Sequence, residues 1–183
     1  MRKKLIIGLF FGLILVQITL PLSMIVKRES VLKNGVPFRF KTAPVDPYDA
    51  FRGRYVALSV ENNKVIKPQG VDLIYGQKVY AQIAVDENGF ARISTITTKK
   101  PQTSTFLIAK AHPVGDEVFL NLPIDRYYME EKAAPQAEQI YRKHSVTYKQ
   151  DAYVIVRIKD GLAVIEGLYI GGQKIEEVLK QKI

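Results

Sequence analysis

The stretch that decides the fold is residues 152–170, with the sequence AYVIVRIKDGLAVIEGLYI. Two runs rich in β-branched and aromatic residues flank Asp160-Gly161. A two-residue Asp-Gly connection between such runs is a strong signal for a β-hairpin. Because a lone hairpin is only marginally stable in water, this one needs further strands around it.

Alternating apolar and polar runs upstream of this hairpin predict those further strands. Residues 78–97 predict a hairpin with its turn at Asp86–Gly89, and residues 104–124 predict another around His112–Asp116. The run RYVALSVE, residues 54–61, predicts one more strand.

The segment just after the apolar N-terminus carries an Asn-Gly dipeptide. Asn34-Gly35 predicts a hairpin turn between two extended pieces, residues 30–33 and 36–42. Pro37 places the second of these pieces at a sheet edge or delays its pairing, because proline cannot donate a ladder hydrogen bond.

The pattern changes near the C-terminus. Residues 130–144, EEKAAPQAEQIYRKH, predict a short helix from Ala134 to His144, with Pro135 in its first turn. The tail QKIEEVLKQKI suits either a last strand or a short helix. The predicted fold is therefore mainly β, an antiparallel barrel or sandwich with one inserted short helix, preceded by an N-terminal transmembrane helix.

The first 26 residues predict that membrane helix. Leu5–Val26 contains no charged residue, and at about 1.5 Å per residue a helix of this length just spans a ~30 Å hydrocarbon core. The alternative is a cleaved signal peptide, which has a shorter apolar region and a small-residue cleavage site. An uncleaved signal anchor is favoured, which divides the chain into a basic tip (1–4), an anchor (5–26) and an outer domain (27–183).

Charge places the two ends on opposite sides of the bilayer. Arg2, Lys3 and Lys4 precede the apolar run, which predicts a cytoplasmic N-terminus and an extracytoplasmic domain on a single-pass protein of the cytoplasmic (inner) membrane. Lys27 and Arg28 weaken this signal without reversing it. The lipid bilayer is thus the first partner expected, through residues 5–26.

Composition excludes several kinds of site. The net charge of +9 is spread without a dense basic run or interleaved aromatics, so no nucleic-acid partner is expected. The absence of cysteine excludes zinc–thiolate sites and thiol nucleophiles. His112 and His144 fall in different predicted elements without a ligand spacing, so no metal or cofactor is expected.

Three segments in order resemble the GDYXXLXY family of bacterial membrane-anchored proteins. They are DPYDAFRGRYVALSV (46–60), DRYYMEE (125–131) and KDGLAVIEGLYIGGQ (159–173). The resemblance implies a membrane-anchored outer β domain that associates with integral membrane proteins, and it implies no reaction. The chain departs from the family motif at Arg54, where the motif has Asp, and at Val60, where it has Tyr.

These departures bear on catalysis. In a strand, residues of one parity share a face, so residues 54, 56, 58 and 60 lie together, whereas 55, 57 and 59 point the other way. Arg54 cannot serve as the acid or base that an aspartate would be. No catalytic residue is therefore predicted.

Two clusters are candidate binding or structural sites. The first comprises Asp46, Asp49, Arg52, Gly53, Arg54, Tyr55 and Leu58. The second comprises Tyr127, Tyr128, Glu130 and Glu131. The first suits a turn held by carboxylate–guanidinium pairs or a binding surface, and the second suits a half-buried strand end or a grip on a sugar or peptide. If they meet in space, arginines and tyrosines would form the walls of one groove.

Together these patterns favour a membrane-anchored binding domain, an accessory component of a membrane protein assembly whose partner is an integral membrane protein. The alternative is a cell-envelope enzyme, or a ligand-binding module for an anionic or sugar-containing polymer. The sequence contains no nucleophile elbow, P-loop or dinucleotide-binding glycine pattern.

Overall fold

A long N-terminal helix leads into a mostly β domain in the computed structural model, which describes residues 2–43, 55–103, 105–145 and 150–181. The helices are α1 (Arg2–Asn34), α2 (Ala134–Ser145) and α3 (Ile175–Lys180). The strands are β1 (Val36–Ala43), β2 (Tyr55–Ala57), β3 (Ser59–Val60), β4 (Lys64–Ile66), β5 (Gln77–Val85), β6 (Ala91–Thr97), β7 (Phe106–Val114), β8 (Glu117–Asn121), β9 (Arg126–Tyr128), β10 (Ala152–Lys159), β11 (Leu162–Ile170) and β12 (Gln173–Lys174).

The strands form a nearly closed, barrel-like arrangement. One five-stranded sheet has the order β12-β11-β10-β1-β3 and the other β4-β8-β7-β5-β6, while β2 and β9 form a separate ribbon. The sheets meet where Ile108 N–H donates to the Gly161 carbonyl at 3.1 Å. All the strand pairs are antiparallel, which confirms the predicted fold class.

The hairpin at residues 152–170 forms as predicted and is the longest strand pairing of the first sheet. Asp160 and Gly161 both have positive φ, +51° and +83°, as a two-residue hairpin turn requires. A bulge leaves Glu166 as the extra residue, because Ile155 pairs with Gly167 and Val156 with Ile165. The Arg157 guanidinium donates to Glu166 across the hairpin.

Two of the three other predicted hairpins are also present. β5 and β6 flank the Asp86 turn, where the Asp86 carboxylate accepts the N–H groups of Asn88 and Phe90 at 2.9 and 2.8 Å. β7 and β8 pair from Val114↔Glu117 onward, so their turn is tighter than predicted and His112 lies inside a strand.

The predicted hairpin at Asn34-Gly35 is wrong. Residues 30–34 complete α1, and Gly35 N–H donates to the Val31 carbonyl at 2.7 Å. Val31 is buried in the domain, so packing extends the helix beyond the predicted span. β1 pairs with β10 instead, and β3 joins β1 only at Thr42 and Ala43. Within the described residues the far side of Pro37 has no strand neighbour, as predicted.

The run RYVALSVE forms two short strands rather than one. The strand is interrupted at Leu58, whose N–H donates to the Asp125 carbonyl at 2.8 Å. β2 before the break pairs with β9, and β3 after it pairs with β1. The predicted common face of Val56, Leu58 and Val60 is confirmed, since all three side chains are buried. This segment therefore connects the ribbon to the first sheet.

The two short helices, α2 and α3, pack against the strands and against each other. α2 begins at the predicted Ala134, ends one residue later than predicted, and buries Ala137, Ile140 and Tyr141. The Tyr141 hydroxyl donates to the Ala43 carbonyl at 2.8 Å, which ties α2 to β1. The tail forms both β12 and α3, so each of its two predicted forms occurs.

We predict that Gly161→Ala destabilises the domain more than Gly89→Ala does. Both glycines have positive φ, and an L-residue there costs about 1–2 kcal/mol. A Cβ at Gly161 would also lie 2.6 Å from Phe106 Cε2, whereas one at Gly89 meets nothing within 4 Å. Overpacking adds about 1–3 kcal/mol to the Gly161→Ala cost. Equal losses in chemical denaturation of the two variants would contradict this packing at the sheet junction.

Candidate partner-binding surface

The structure describes about half of the candidate residues. Asp46, Asp49, Arg52, Gly53 and Arg54 lie outside the described residues. Tyr55, Leu58, Tyr127, Tyr128 and Glu131 are described. Leu58 is buried in the core, and Glu131 lies in the exposed turn before α2.

The described residues of the two candidate clusters meet in the ribbon of β2 and β9. Tyr55 pairs with Tyr128, and Val56 pairs with Tyr127. Segments more than 70 residues apart in the chain are thus hydrogen-bonded neighbours. Whether arginines form the facing wall stays a prediction, because residues 52 and 54 lie outside the described range.

Tyr55, Arg126 and Tyr128 form a tyrosine–arginine cluster on the outer face of this ribbon. The two tyrosine rings lie 5.6 Å apart between centroids, and the Arg126 Cζ lies 5.1 Å from the Tyr55 ring centroid. The hydrogen bond with Tyr128, together with electrostatic interactions with Tyr55 and the Asp125 carboxylate, raises the pKa of Arg126. Tyr128 is 64% exposed, so the cluster presents a large aromatic side chain to the surroundings.

Tyr127 occupies the opposite face and has a different role. It is 8% exposed, and its hydroxyl donates to the carboxyl group of Glu176 in α3. Burial raises the pKa of Tyr127, and the hydrogen bond to Glu176 raises it further. Tyr127 therefore fastens the ribbon to α3, while its neighbour Tyr128 faces outward.

A groove of about 360 Å³ runs between this ribbon and α1, and we call it the helix-side groove. It is lined by Arg28, Pro123, Asp125, Arg126, Tyr127, Tyr128, Ala163, Val164 and Ile165. Arg28 comes from α1, the aromatic residues come from β9, and residues 163–165 come from β11. The exposed part of the ribbon thus adjoins the end of the apolar helix.

A family model described as GDYXXLXY protein matches residues 17–168. The chain belongs to the GDYXXLXY family. The match confirms the resemblance carried by the three sequence segments, and it includes part of α1 and most of the β domain. No curated protein and no solved structure matches the chain.

The GDYXXLXY-family domain has a second exposed aromatic feature that the sequence patterns did not single out. The rings of Tyr75 and His112 stack with centroids 4.3 Å apart, and Phe119 of β8 pairs directly with His112. Tyr75 is 79% exposed and Phe119 is 39% exposed. His112 and Phe119 border a groove of about 350 Å³ that also includes Asn63 and Asn121. We call Tyr75, His112 and Phe119 the aromatic platform; the register of the β7–β8 hairpin is the signal that would have paired His112 with Phe119, whereas only the fold brings Tyr75 to them.

The apolar helix of this family member carries a second overlooked pattern. Gly8 and Gly12 lie one turn apart, and Thr19 and Ser23 fall on the same face at 100° per residue. The two hydroxyls donate to carbonyls of the preceding turn, both at 2.7 Å. Such a face of small residues permits close packing of helices in a membrane.

The histidines lie in separate elements. His112 belongs to β7, while His144 of α2 places its Nδ1 2.8 Å from Asp151 Oδ1. In residues 2–43, 55–103, 105–145 and 150–181, no group of three or more His, Asp or Glu residues is arranged to hold a metal ion.

We predict that Tyr127→Phe destabilises the domain and weakens its response to alkaline pH. The folded protein retains the Tyr127 proton above the ordinary pKa near 10, so this stabilisation is present below pH 10 and declines as pH rises further. Tyr127→Phe removes the hydroxyl that donates to Glu176 Oε1, on a carboxyl group whose other oxygen, Oε2, is buried without a hydrogen-bond partner, and this loss costs about 1–3 kcal/mol near neutral pH.

Melting temperatures between neutral pH and pH 11 test this expectation, with exposed Tyr128→Phe as the matched control. The Tyr127→Phe variant should melt lower at neutral pH and lose less stability above pH 10 than the unmodified chain. Identical pH profiles for both variants would show that the buried phenol does not couple to folding.

Proposed function

We propose that this chain is a membrane-anchored, extracytoplasmic accessory domain that binds an integral membrane protein in the same bilayer. The carrying observation is the exposed tyrosine–arginine cluster, which lies beside the groove shared with the end of α1. Residues 6–34 form a helix long and apolar enough to cross a membrane, which is compatible with an anchored domain. The basic residues ahead of this helix support an N-terminus on the cytoplasmic side of the inner membrane.

The cluster has the chemistry of a protein-binding surface. Tyr and Arg are enriched among the residues that carry most of the binding free energy at interfaces. Arg126 is held by the Asp125 carboxylate, at 3.4 Å, and by the Tyr55 ring, whose centroid is 5.1 Å from its Cζ. Because these side chains are already positioned, less conformational entropy is lost when a partner binds.

The junction between α1 and the domain supports lateral recognition. Lys159 Nζ donates to Ser30 Oγ, and Arg157 Nη1 donates to the Gly35 carbonyl, both at 3.3 Å. These bonds and the buried Val31 side chain hold the domain on the helix end. A partner that packs on the helix in the bilayer would meet the cluster at high effective concentration. The small-residue face at Gly8 and Gly12 suits such packing.

A photo-crosslinking amino acid placed at position 128 tests the proposal in intact membranes. The expected product is a discrete adduct with one integral membrane protein, identified by mass spectrometry. Val85 is exposed on β5 and serves as the control position, where no such adduct is expected. The same adducts from both positions, or only lipid captured from position 128, would contradict the protein partner.

We also predict that Tyr128→Ala lowers co-purification of the captured protein by about tenfold, as loss of a central interface tyrosine costs more than 1 kcal/mol. Tyr75→Ala removes another highly exposed tyrosine, from the turn before β5, and should leave co-purification unchanged. A loss of similar size in both variants would show that the partner does not bind specifically at the tyrosine–arginine cluster.

A second candidate function is binding of a sugar-containing envelope polymer by the aromatic platform. Stacked aromatic rings beside the amide groups of Asn63 and Asn121 offer a flat apolar face next to hydrogen-bonding groups. Tyr75→Ala should then reduce retention of the protein by purified cell-wall polymer, while Tyr128→Ala should not. Unchanged retention of Tyr75→Ala would exclude the platform as the polymer site.

A further inference from the structure

The helix-side groove combines arginine side chains with an apolar surface, and the position of Arg28 in α1 sets its level relative to the bilayer. Arg28 lies two residues beyond the predicted end of the apolar span at Val26, and α1 continues without interruption through both residues. At about 1.5 Å per residue, Arg28 lies about 3 Å beyond the hydrocarbon edge when the helix spans a bilayer. The headgroup layer extends about 5–7 Å beyond that edge. Arg28 is therefore at the level of lipid phosphates.

The charged residues in and beside the groove differ in whether they already have an ion-pair partner. Arg126 is paired with Asp125 and packed on the Tyr55 ring. Glu29, next to Arg28 in the chain, is paired with Lys33 at 3.2 Å. In the part of the chain that the structure describes, Arg28 makes no ion pair and its side chain is exposed. Arg28 is thus the guanidinium available for a new anion.

The rest of the groove suits the parts of a lipid next to its phosphate. Pro123, Ala163, Val164 and Ile165 supply an apolar wall, while Tyr128 is an amphipathic ring of the kind enriched at membrane interfaces. Arginine binds phosphate through two parallel N–H donors, which lysine cannot do. A soluble phosphate ester would use the same guanidinium but would leave the apolar wall uncovered.

We propose that the helix-side groove is a binding site for one anionic phospholipid of the surrounding bilayer, with Arg28 holding the headgroup phosphate. The lipid reaches the groove directly, because Arg28 belongs to the same continuous helix that is proposed to cross the membrane. The inference rests on the anchor part of the proposed function and not on the protein partner. A bound lipid here would lie directly beside the tyrosine–arginine cluster and contribute to the surface that a partner meets.

Native mass spectrometry of the full chain in a non-ionic detergent tests the site, with short-chain phosphatidylglycerol, phosphatidylcholine and glycerol 3-phosphate as separate probes. We expect one bound phosphatidylglycerol at concentrations where phosphatidylcholine binds at least about tenfold more weakly. Arg28→Gln should lower phosphatidylglycerol affinity by about tenfold. Arg92→Gln removes the same charge from an exposed position on β6 and should leave the affinity unchanged.

Three results would overturn the site: equal binding of both phospholipids, equal losses in the two variants, or glycerol 3-phosphate binding as tightly as the phospholipid. Circular dichroism of Arg28→Gln confirms that the exposed substitution leaves the fold intact. Flotation of the full chain with vesicles reports separately on the anchor. If the chain floats with the vesicles but captures no protein partner, the proposed assembly role is refuted. The lipid site is then judged from the phosphatidylglycerol titration alone.

Discussion

The close approach at Gly35 is the constraint on which the rest of the structure depends. Its N–H donates to the Val31 carbonyl at 2.7 Å, and a Cβ at this position would lie 2.4 Å from that same oxygen. Only glycine lets α1 end here and β1 begin at Val36 without a linker. The Arg157 guanidinium then binds the Gly35 carbonyl from β10. The β domain is consequently fixed on the helix rather than tethered to it, and so are the groove and the exposed cluster.

The break at Leu58 has a similar effect inside the domain. By ending one strand and starting another, it lets consecutive residues pair with β9 on one side and β1 on the other. The buried side chains of Val56 and Val60 keep one inward face across the break. The described part of the family motif, residues 55–60, is therefore a structural connector at Leu58, while Tyr55 contributes to the surface.

Local chemistry explains which elements could be predicted. The hairpins at Asp86–Gly89 and Asp160-Gly161 depend on turn residues whose backbone preferences act within a few positions. The hairpin predicted at Asn34-Gly35 was wrong because glycine also commonly follows the end of a helix. Whether the dipeptide forms a hairpin turn or a helix end depends on whether Val31 can pack into a core. The break at Leu58 has no local signal, since the alternation of residues 54–60 continues through it. Adjacent strand residues such as Tyr127 and Tyr128 point to opposite faces, but only the fold shows which of the two is buried.

The sequence by itself determined the apolar helix, the three hairpins, the short helix near the C-terminus and membership of the GDYXXLXY family. The secondary-structure elements follow from composition, period and turn chemistry, which act between near neighbours, whereas family membership rests on the three ordered motifs and on the family match. Only the tertiary structure decided that Tyr55 lies against Tyr128, that Arg28 shares a groove with β9 and that Tyr75 stacks on His112. Such contacts depend on which strand, far away in the sequence, is available to form backbone hydrogen bonds with a given segment. That competition is settled by the packing of the whole barrel, because every strand must pair and bury its apolar face at once.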